Sequence, residues 1–202
     1  MRNSFAKAIT ELAEDNPDFV LLVGDIGNRM FDKFKEEHPN RFYNCGVAEA
    51  GMTGIAAGLA SCGLQSITYT ITPFNTLRCL EQIRVDICYP DLPVIIVGTG
   101  AGLSYANLGA THHSMEDIGV LRMLPNIHVV CPCDAIEVRL ALTDALKLRH
   151  PTYIRLGKKG EPVVHKTIPK FEIGKSITVR QGQEIVLLSV GNILPVAMEC
   201  SE

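Results

Sequence analysis

Two unbroken apolar runs, FVLLV at positions 19–23 and LPVIIVG at 92–98, constrain this chain more than any other feature. A strand with one wet face alternates apolar and polar side chains, whereas a continuous run is of the kind buried on both faces, as in parallel sheets covered by helices. Further strands are predicted at QSITYTI, which leads into a helix from Pro73, and at IHVVCP and TYIRL. Between them lie segments of helical period. Residues 3–15 place Phe5, Ala8, Ile9 and Leu12 on one face and end in the breaker EDNPD. A polar helix is expected near 30–38. TLRCLEQIRVDICY reads as an amphipathic helix with Leu77, Leu80, Ile83 and Ile87 inward, MEDIGVLRML as a short helix, and DAIEVRLALTDALKL as a helix capped by Asp134.

At 202 residues the chain holds one well-buried domain plus part of another. A formal charge of −3 gives no reason to expect nucleic acid or an acidic membrane as partner. Seven scattered cysteines, mostly within apolar segments, fit reduced intracellular thiols. Cys131 and Cys133 lack a second pair and a nearby histidine cluster of zinc spacing, so no metal site is expected there. The N-terminus reads as a helix without an apolar signal core, and no run reaches the length of a membrane span. A soluble, cytoplasmic protein is the expectation.

The stretch RFYNCGVAEAGMTGIAAGLASCG, 41–63, passes from a short strand ending near Asn44 into a helix of small residues: Gly51, Gly54, Ala56, Ala57, Gly58 and Ala60. Another backbone can come very close to such a face. Glu49, in the first turn, either complements the positive helix end or sits desolvated at an interface, able to share a proton with a ligand. Asp25 and Asn28 follow the strand FVLLV, where ligands of open parallel sheets bind, although Asp-x-Gly also makes turns. GTGAG lacks the full dinucleotide fingerprint, so no Rossmann cofactor is expected. It opens a long polar loop running to Thr111, His112 and His113, a length that usually signals function. Taken alone, the two histidines also fit a surface loop, and Phe74 also fits a core.

FYNCGVAEAGMTGIAAGLASCG, EQIRVDICYPDLPVIIVGTGAGLS, GATHHSMEDIGVLRMLPNIHVVCPCDA and PTYIRLGKKG resemble, in order and spacing, the pyrimidine-binding domain of transketolases and the related 1-deoxyxylulose-5-phosphate synthases. The resemblance covers nearly all of 1–160. It implies a three-layer α/β/α fold with a mostly parallel sheet, which binds thiamine diphosphate. It implies that Glu49 bonds the aminopyrimidine ring and promotes its imino form. Phe74 would stack on that ring, Leu77 and Leu80 would replace later aromatics of the set as apolar walls, and Asp25 would lie near the cofactor. His112 matches the histidine of the family's THQ motif, which assists proton traffic on the sugar, with His113 in the glutamine's place. Arg29 and Lys158 fall where the family contacts substrate phosphate.

The departures are as informative. No aspartate stands three or four residues before His112, and no histidine lies near Gly100, so two sugar-hydroxyl contacts of the family are missing and a changed sugar is expected. No GDG…N segment, the family's magnesium and diphosphate motif, occurs anywhere. The resemblance therefore implies an N-terminal transketolase-type subunit that binds Mg2+ and completes the cofactor site, within a homodimer core or an α2β2 assembly, with the Gly/Ala helix face at the junction. The enzyme would move a two-carbon ketol unit between anionic, phosphorylated sugars. A deoxyxylulose phosphate synthase-like enzyme, the beta subunit of a 2-oxoacid dehydrogenase and a non-catalytic partner retaining the fold are the alternatives.

From about 161 the texture changes. Residues 161–182 read as a linker or edge hairpin, and 183–202 (IVLLSVGNILPVAMECSE and the residues just before it) as the first strand and helix start of a smaller α/β domain that would need about 100 further residues. A truncated chain is the expectation.

Overall fold

The computed structural model describes residues 1–27, 29–158 and 160–202; Asn28 lies outside them. Six strands form one sheet: β1 (Phe19–Val23), β2 (Phe42–Asn44), β3 (Gln65–Ile71), β4 (Val94–Thr99), β5 (His128–Val130) and β6 (Thr152–Leu156). Their spatial order is β2-β1-β3-β4-β6-β5 and every pairing is parallel. Parallel neighbours need a crossover, and the helices supply it: α1 (Arg2–Asp15), α2 (Asp32–Glu37), α3 (Glu49–Ser61), α4 (Thr72–Asn75), α5 (Leu80–Gln82), α6 (Asp117–Leu121) and α7 (Ala135–Leu148), with α8 (Leu194–Cys200) beyond the sheet. None of the described helices is long and apolar enough to cross a membrane.

The unbroken apolar strands have their physical reason in two cores. Successive side chains of a strand point to opposite faces. Phe19, Leu21 and Val23, with Ile95 and Val97, enter a core built with α1 and α7; Leu22, Val94 and Ile96 enter another built with Met52, Ala56 and Ala60 of α3 and with Ile83 and Ile87. Both faces of the sheet are thus dry, and the three-layer α/β/α arrangement follows.

Two expectations need correction. The segment 76–89 is not one amphipathic α-helix. A 3-10 turn at Leu77–Cys79 precedes α5, which continues as a π-helix over Ile83–Cys88, with Tyr89 N bonded to Arg84 O and Leu92 N to Ile87 O. The changed winding keeps Ile83 and Ile87 fully buried but leaves Leu77 36% exposed instead of inward. The apolar run near 185–190 forms no strand. A strand needs a neighbour to take its backbone hydrogen bonds, and Ile185, Val186 and Leu188 are all strongly exposed. The expected helix start after it does form, as α8. Residues 161–182 contain no strand and lie partly against the domain: His165 is buried, Phe171 and Ile173 pack on the first core, and Ile173 N donates to Asp144.

Candidate active site

The carboxyl ends of β1, β3, β4 and β6 open onto one region, the position where open parallel sheets place ligands. Gly24 follows β1 so closely that an added Cβ would stand 3.1 Å from Thr70 Oγ1 and 3.3 Å from Glu49 Cγ. A side chain there would press on both residues, so glycine lets β1 end close beside them. Glu49 begins α3 and is 2% exposed. Its Oε2 accepts a hydrogen bond from Arg78 Nη1 at 2.7 Å, and no described residue donates to Oε1. The hydroxyl of Thr70 is buried with no partner among the described residues.

From Arg78 a line of stacked groups runs across the site. The guanidinium carbon of Arg78 lies 4.2 Å from the centre of the Phe74 ring. Phe74 meets His112 edge to face at 5.1 Å, and His112 meets Tyr105 at 6.0 Å. Lys158 Nζ then lies 4.2 Å over the Tyr105 ring. Cation–π and edge-to-face contacts of this kind hold orientation as well as energy. His112 Nδ1 and Thr111 Oγ1 are hydrogen-bonded at 2.9 Å, which fixes the imidazole further.

The loop bearing His112 is tied at both ends. Gly100 N and Ala101 N donate to Leu156 O, and Gly102 pairs with Ser114 in an antiparallel bridge. Arg155 bonds Asp117 through Nε at 2.7 Å and Ser114 O through Nη2 at 3.0 Å, and Tyr153 donates to the same Asp117 carboxylate at 2.6 Å. Burial, then Asp117, raises the Tyr153 phenol well above its ordinary value, so it stays a donor. Gly100 has φ +85°, and a Cβ there would fall 2.1 Å from the Tyr105 ring. Tyr105 therefore folds back over residue 100 only because that residue is glycine.

The structure links Glu49, Phe74, His112 and Lys158 in one line through Arg78 and Tyr105. Asp25 and Arg29 occupy the turn after β1, both exposed and both with positive φ. Asp25 is held by Asn44, which donates to its Oδ1 and accepts from its backbone N. His113 is turned away, its Nε2 within 3.2 Å of Ala106 O. Leu77 adjoins Arg78 at the open side. Sequence reasoning missed Arg78 and named Tyr105 only as part of a loop. Arg78 stands four residues after Phe74, but the helix breaks at Thr76 between them, so no helical spacing marked it.

A buried carboxylate with one free oxygen, beside an aromatic face and an unpartnered hydroxyl, fits a planar nitrogen heterocycle such as an aminopyrimidine. The pattern of the family described as "Transketolase, pyrimidine binding domain" matches residues 1–161. The chain belongs to that family. This transketolase-family chain is 36% identical over 192 residues to one of the subunits of the apulose-4-phosphate transketolase of Phocaeicola vulgatus, spanning 94% of this chain and 62% of that protein. It is 30% identical over 203 residues to a 6-deoxy-6-sulfo-D-fructose transketolase subunit of Clostridium sp., spanning 100% of this chain and 63% of the relative. A solved structure described as "Split gene transketolase, inactive beta4 tetramer" superposes with a TM-score of 0.88 at 35% identity, covering 98% of this chain and 64% of the other. The chain thus spans a little over three-fifths of the length of these relatives.

Proposed function

We propose that this chain is the pyrimidine-binding subunit of a thiamine diphosphate-dependent transketolase, moving a two-carbon ketol unit between anionic sugars once a second, N-terminal type polypeptide completes the site. The observation that carries this reading is the buried Glu49 carboxylate, whose Oε1 is free of donors among the described residues while Phe74 and His112 stand alongside. Thiamine diphosphate, when bound, supplies the nucleophilic carbon and the electron sink.

This chain's residues position and move protons. Glu49 would hold a proton at Oε1 toward a ring nitrogen of the bound cofactor, while Arg78 holds Oε2. Phe74 supports the ring face, with Leu77 as an apolar wall at the open side and Asp25 close by on the β1 turn. His112, fixed between Phe74, Tyr105 and Thr111, exchanges a proton with a sugar oxygen. Lys158 and Arg29 would attract the anionic end of the sugar, and His113 would reach it only by leaving Ala106 O. Two relatives are named for sugars carrying a phosphate or a sulfo group, which supports an anionic substrate.

This reading calls for a partner, since the chain has no GDG…N segment to hold Mg2+ and the diphosphate. One face of α3 supports where it docks: Gly51, Gly54 and Gly58 have nothing within 4 Å of an added Cβ, and Ile55 and, just before the helix, Val47 are 51% and 76% exposed. Relatives named as subunits favour an α2β2 assembly or a homodimer core carrying two partner chains. Residues 161–182 then lead from this domain, and 183–202 begin a C-terminal α/β domain whose neighbours would pair the exposed run at 185–190.

The test is co-expression with an N-terminal transketolase-type chain that carries GDG…N, followed by ketol transfer assays against thiamine diphosphate concentration. Turnover should depend on both chains, and Glu49→Gln should lower kcat by ~10²–10⁴. Undiminished turnover by Glu49→Gln at limiting cofactor would overturn the assignment.

A further inference from the structure

On the opposite side of the sheet from the α3 helix, away from the proposed cofactor site, three groups with metal-ligand chemistry meet. Cys133 closes the turn before α7, Glu137 lies in the first turn of α7, and His165 comes from the segment that crosses back over them. They are 3%, 8% and 9% exposed, and their ligand atoms all lie within 4.8 Å of one another. His165 Nε2 faces both others, at 3.7 Å from Cys133 Sγ and 2.6 Å from Glu137 Oε1.

The scaffold behind these atoms is set independently. Asp134 Oδ1 accepts from Ile136 N and Glu137 N, which starts α7, and its Oδ2 accepts from Val164 N and His165 N, which pins the crossing segment. Glu137 Oε2 accepts from Cys133 N at 2.8 Å, which leaves Oε1 turned toward the imidazole. The Asp134 carboxylate therefore holds both backbones, and the three side chains converge without having to hold themselves. Such outer support is what orients ligands in metal sites.

We propose that Cys133, Glu137 and His165 form a binding site for one zinc-like divalent cation, with a water as fourth ligand. Around a tetrahedral zinc, with bonds of about 2.0–2.3 Å, ligand atoms stand roughly 3.3–3.7 Å apart. The sulfur–nitrogen separation already has that value. The nitrogen–oxygen separation must widen by somewhat less than about 1 Å, exchanging one hydrogen bond for two metal bonds. A thiolate with an imidazole selects zinc, cobalt or a similar cation over magnesium or calcium, so the site is chemically separate from any diphosphate-bound Mg2+. Binding displaces the Cys133 thiol proton, which passes to solvent, and the proton shared between His165 Nε2 and Glu137 Oε1, which passes to His165 Nδ1 or to solvent, as sulfur–, nitrogen– and oxygen–metal bonds form. The cation would clamp the segment after β6 onto α7 and so stiffen the exit from the domain.

The full chain, reduced and stripped with a chelator, is titrated with zinc chloride against a chromophoric zinc indicator, and separately with cobalt chloride. The expected result is one equivalent bound, a thiolate-to-cobalt charge-transfer band with tetrahedral ligand-field intensity, and a higher Tm with zinc. Cys133→Ser and His165→Gln should each weaken zinc binding by about 100-fold or more, judged from ligand-shell effects. Cys62→Ser and Cys200→Ser, at exposed thiols, should leave it unchanged. The cobalt spectrum of the unaltered chain keeps the test decisive if either site variant fails to fold. Absence of a stoichiometric equivalent, a cobalt spectrum without the sulfur band, or affinity retained in folded Cys133→Ser and His165→Gln overturns the proposal in favour of a purely hydrogen-bonded clasp.

Discussion

Arg78 donates to the Glu49 carboxylate at 2.7 Å while its guanidinium carbon stands 4.2 Å over the ring of Phe74. One planar cation thus ties the buried acid of α3 to the aromatic that follows β3. Removing it leaves a buried carboxylate without its donor, a loss of about 1–3 kcal/mol for a charged hydrogen bond whose donor is itself 44% exposed. Arg78→Ala should show that loss in urea denaturation. Arg78→Lys should recover part of it, since an ammonium keeps the charge but not the flat face against Phe74. Equal stability of wild type and Arg78→Ala would mean that the pair is not formed.

Gly100→Ala should damage the site from a distance. Its left-handed backbone costs a non-glycine residue ~1 kcal/mol or more, and the new methyl collides with Tyr105. Tyr105 must then swing away from His112 and Lys158. We expect a lower Tm together with, in the proposed two-subunit assembly, a raised KM for the proposed anionic sugar. A variant with unchanged Tm and unchanged KM would refute the role given to Tyr105.

Gly54→Leu should separate folding from assembly. The isolated chain has open space at that position, and leucine is the better helix former by up to ~1 kcal/mol, so thermal stability should hold or rise. If α3 is the docking face, as proposed, a leucine side chain projecting from it should block the proposed partner. Size-exclusion chromatography of the mixed subunits reads this directly, and normal co-elution of Gly54→Leu with the partner chain would place the docking face elsewhere.

Asp134 carries a pH dependence. Burial opposes its ionisation, but the backbone N–H groups of Glu137, Val164 and His165, with the nearby His165, outweigh it and hold the carboxyl below its ordinary value. A depressed folded value stabilises the native state fully above the unfolded carboxylate range, near about 4, and the contribution is lost as pH falls through the folded value. Asp134→Asn should therefore be less stable than wild type at pH 7, and the gap should narrow toward pH 3. Denaturation midpoints at the two pH values test the sign.

Local patterns are legible where one physical requirement dominates. FVLLV and VIIVG have to be strands dry on both faces, and Asp134 has to cap α7, since its carboxylate accepts from Ile136 N and Glu137 N. The segment 76–89 departs from its expected form because apolar residues at helical spacing do not distinguish an α-helix from a 3-10 turn joined to a π-helix. The difference lies in which carbonyl each N–H reaches. The run at 185–190 departs because strand propensity does not supply the neighbouring strand on which a sheet depends.

The amino-acid sequence by itself determined the alternation of buried strands and amphipathic helices, and with it the parallel sheet and the edge at which a ligand can sit, because side-chain periodicity and burial are local properties. Tertiary structure alone decided which distant side chains meet. Arg78 reaches Glu49 across 29 positions, and His165 reaches Glu137 across 28 and Cys133 across 32. Those encounters depend on the directions in which separate elements leave a shared sheet, and no spacing along the chain encodes them.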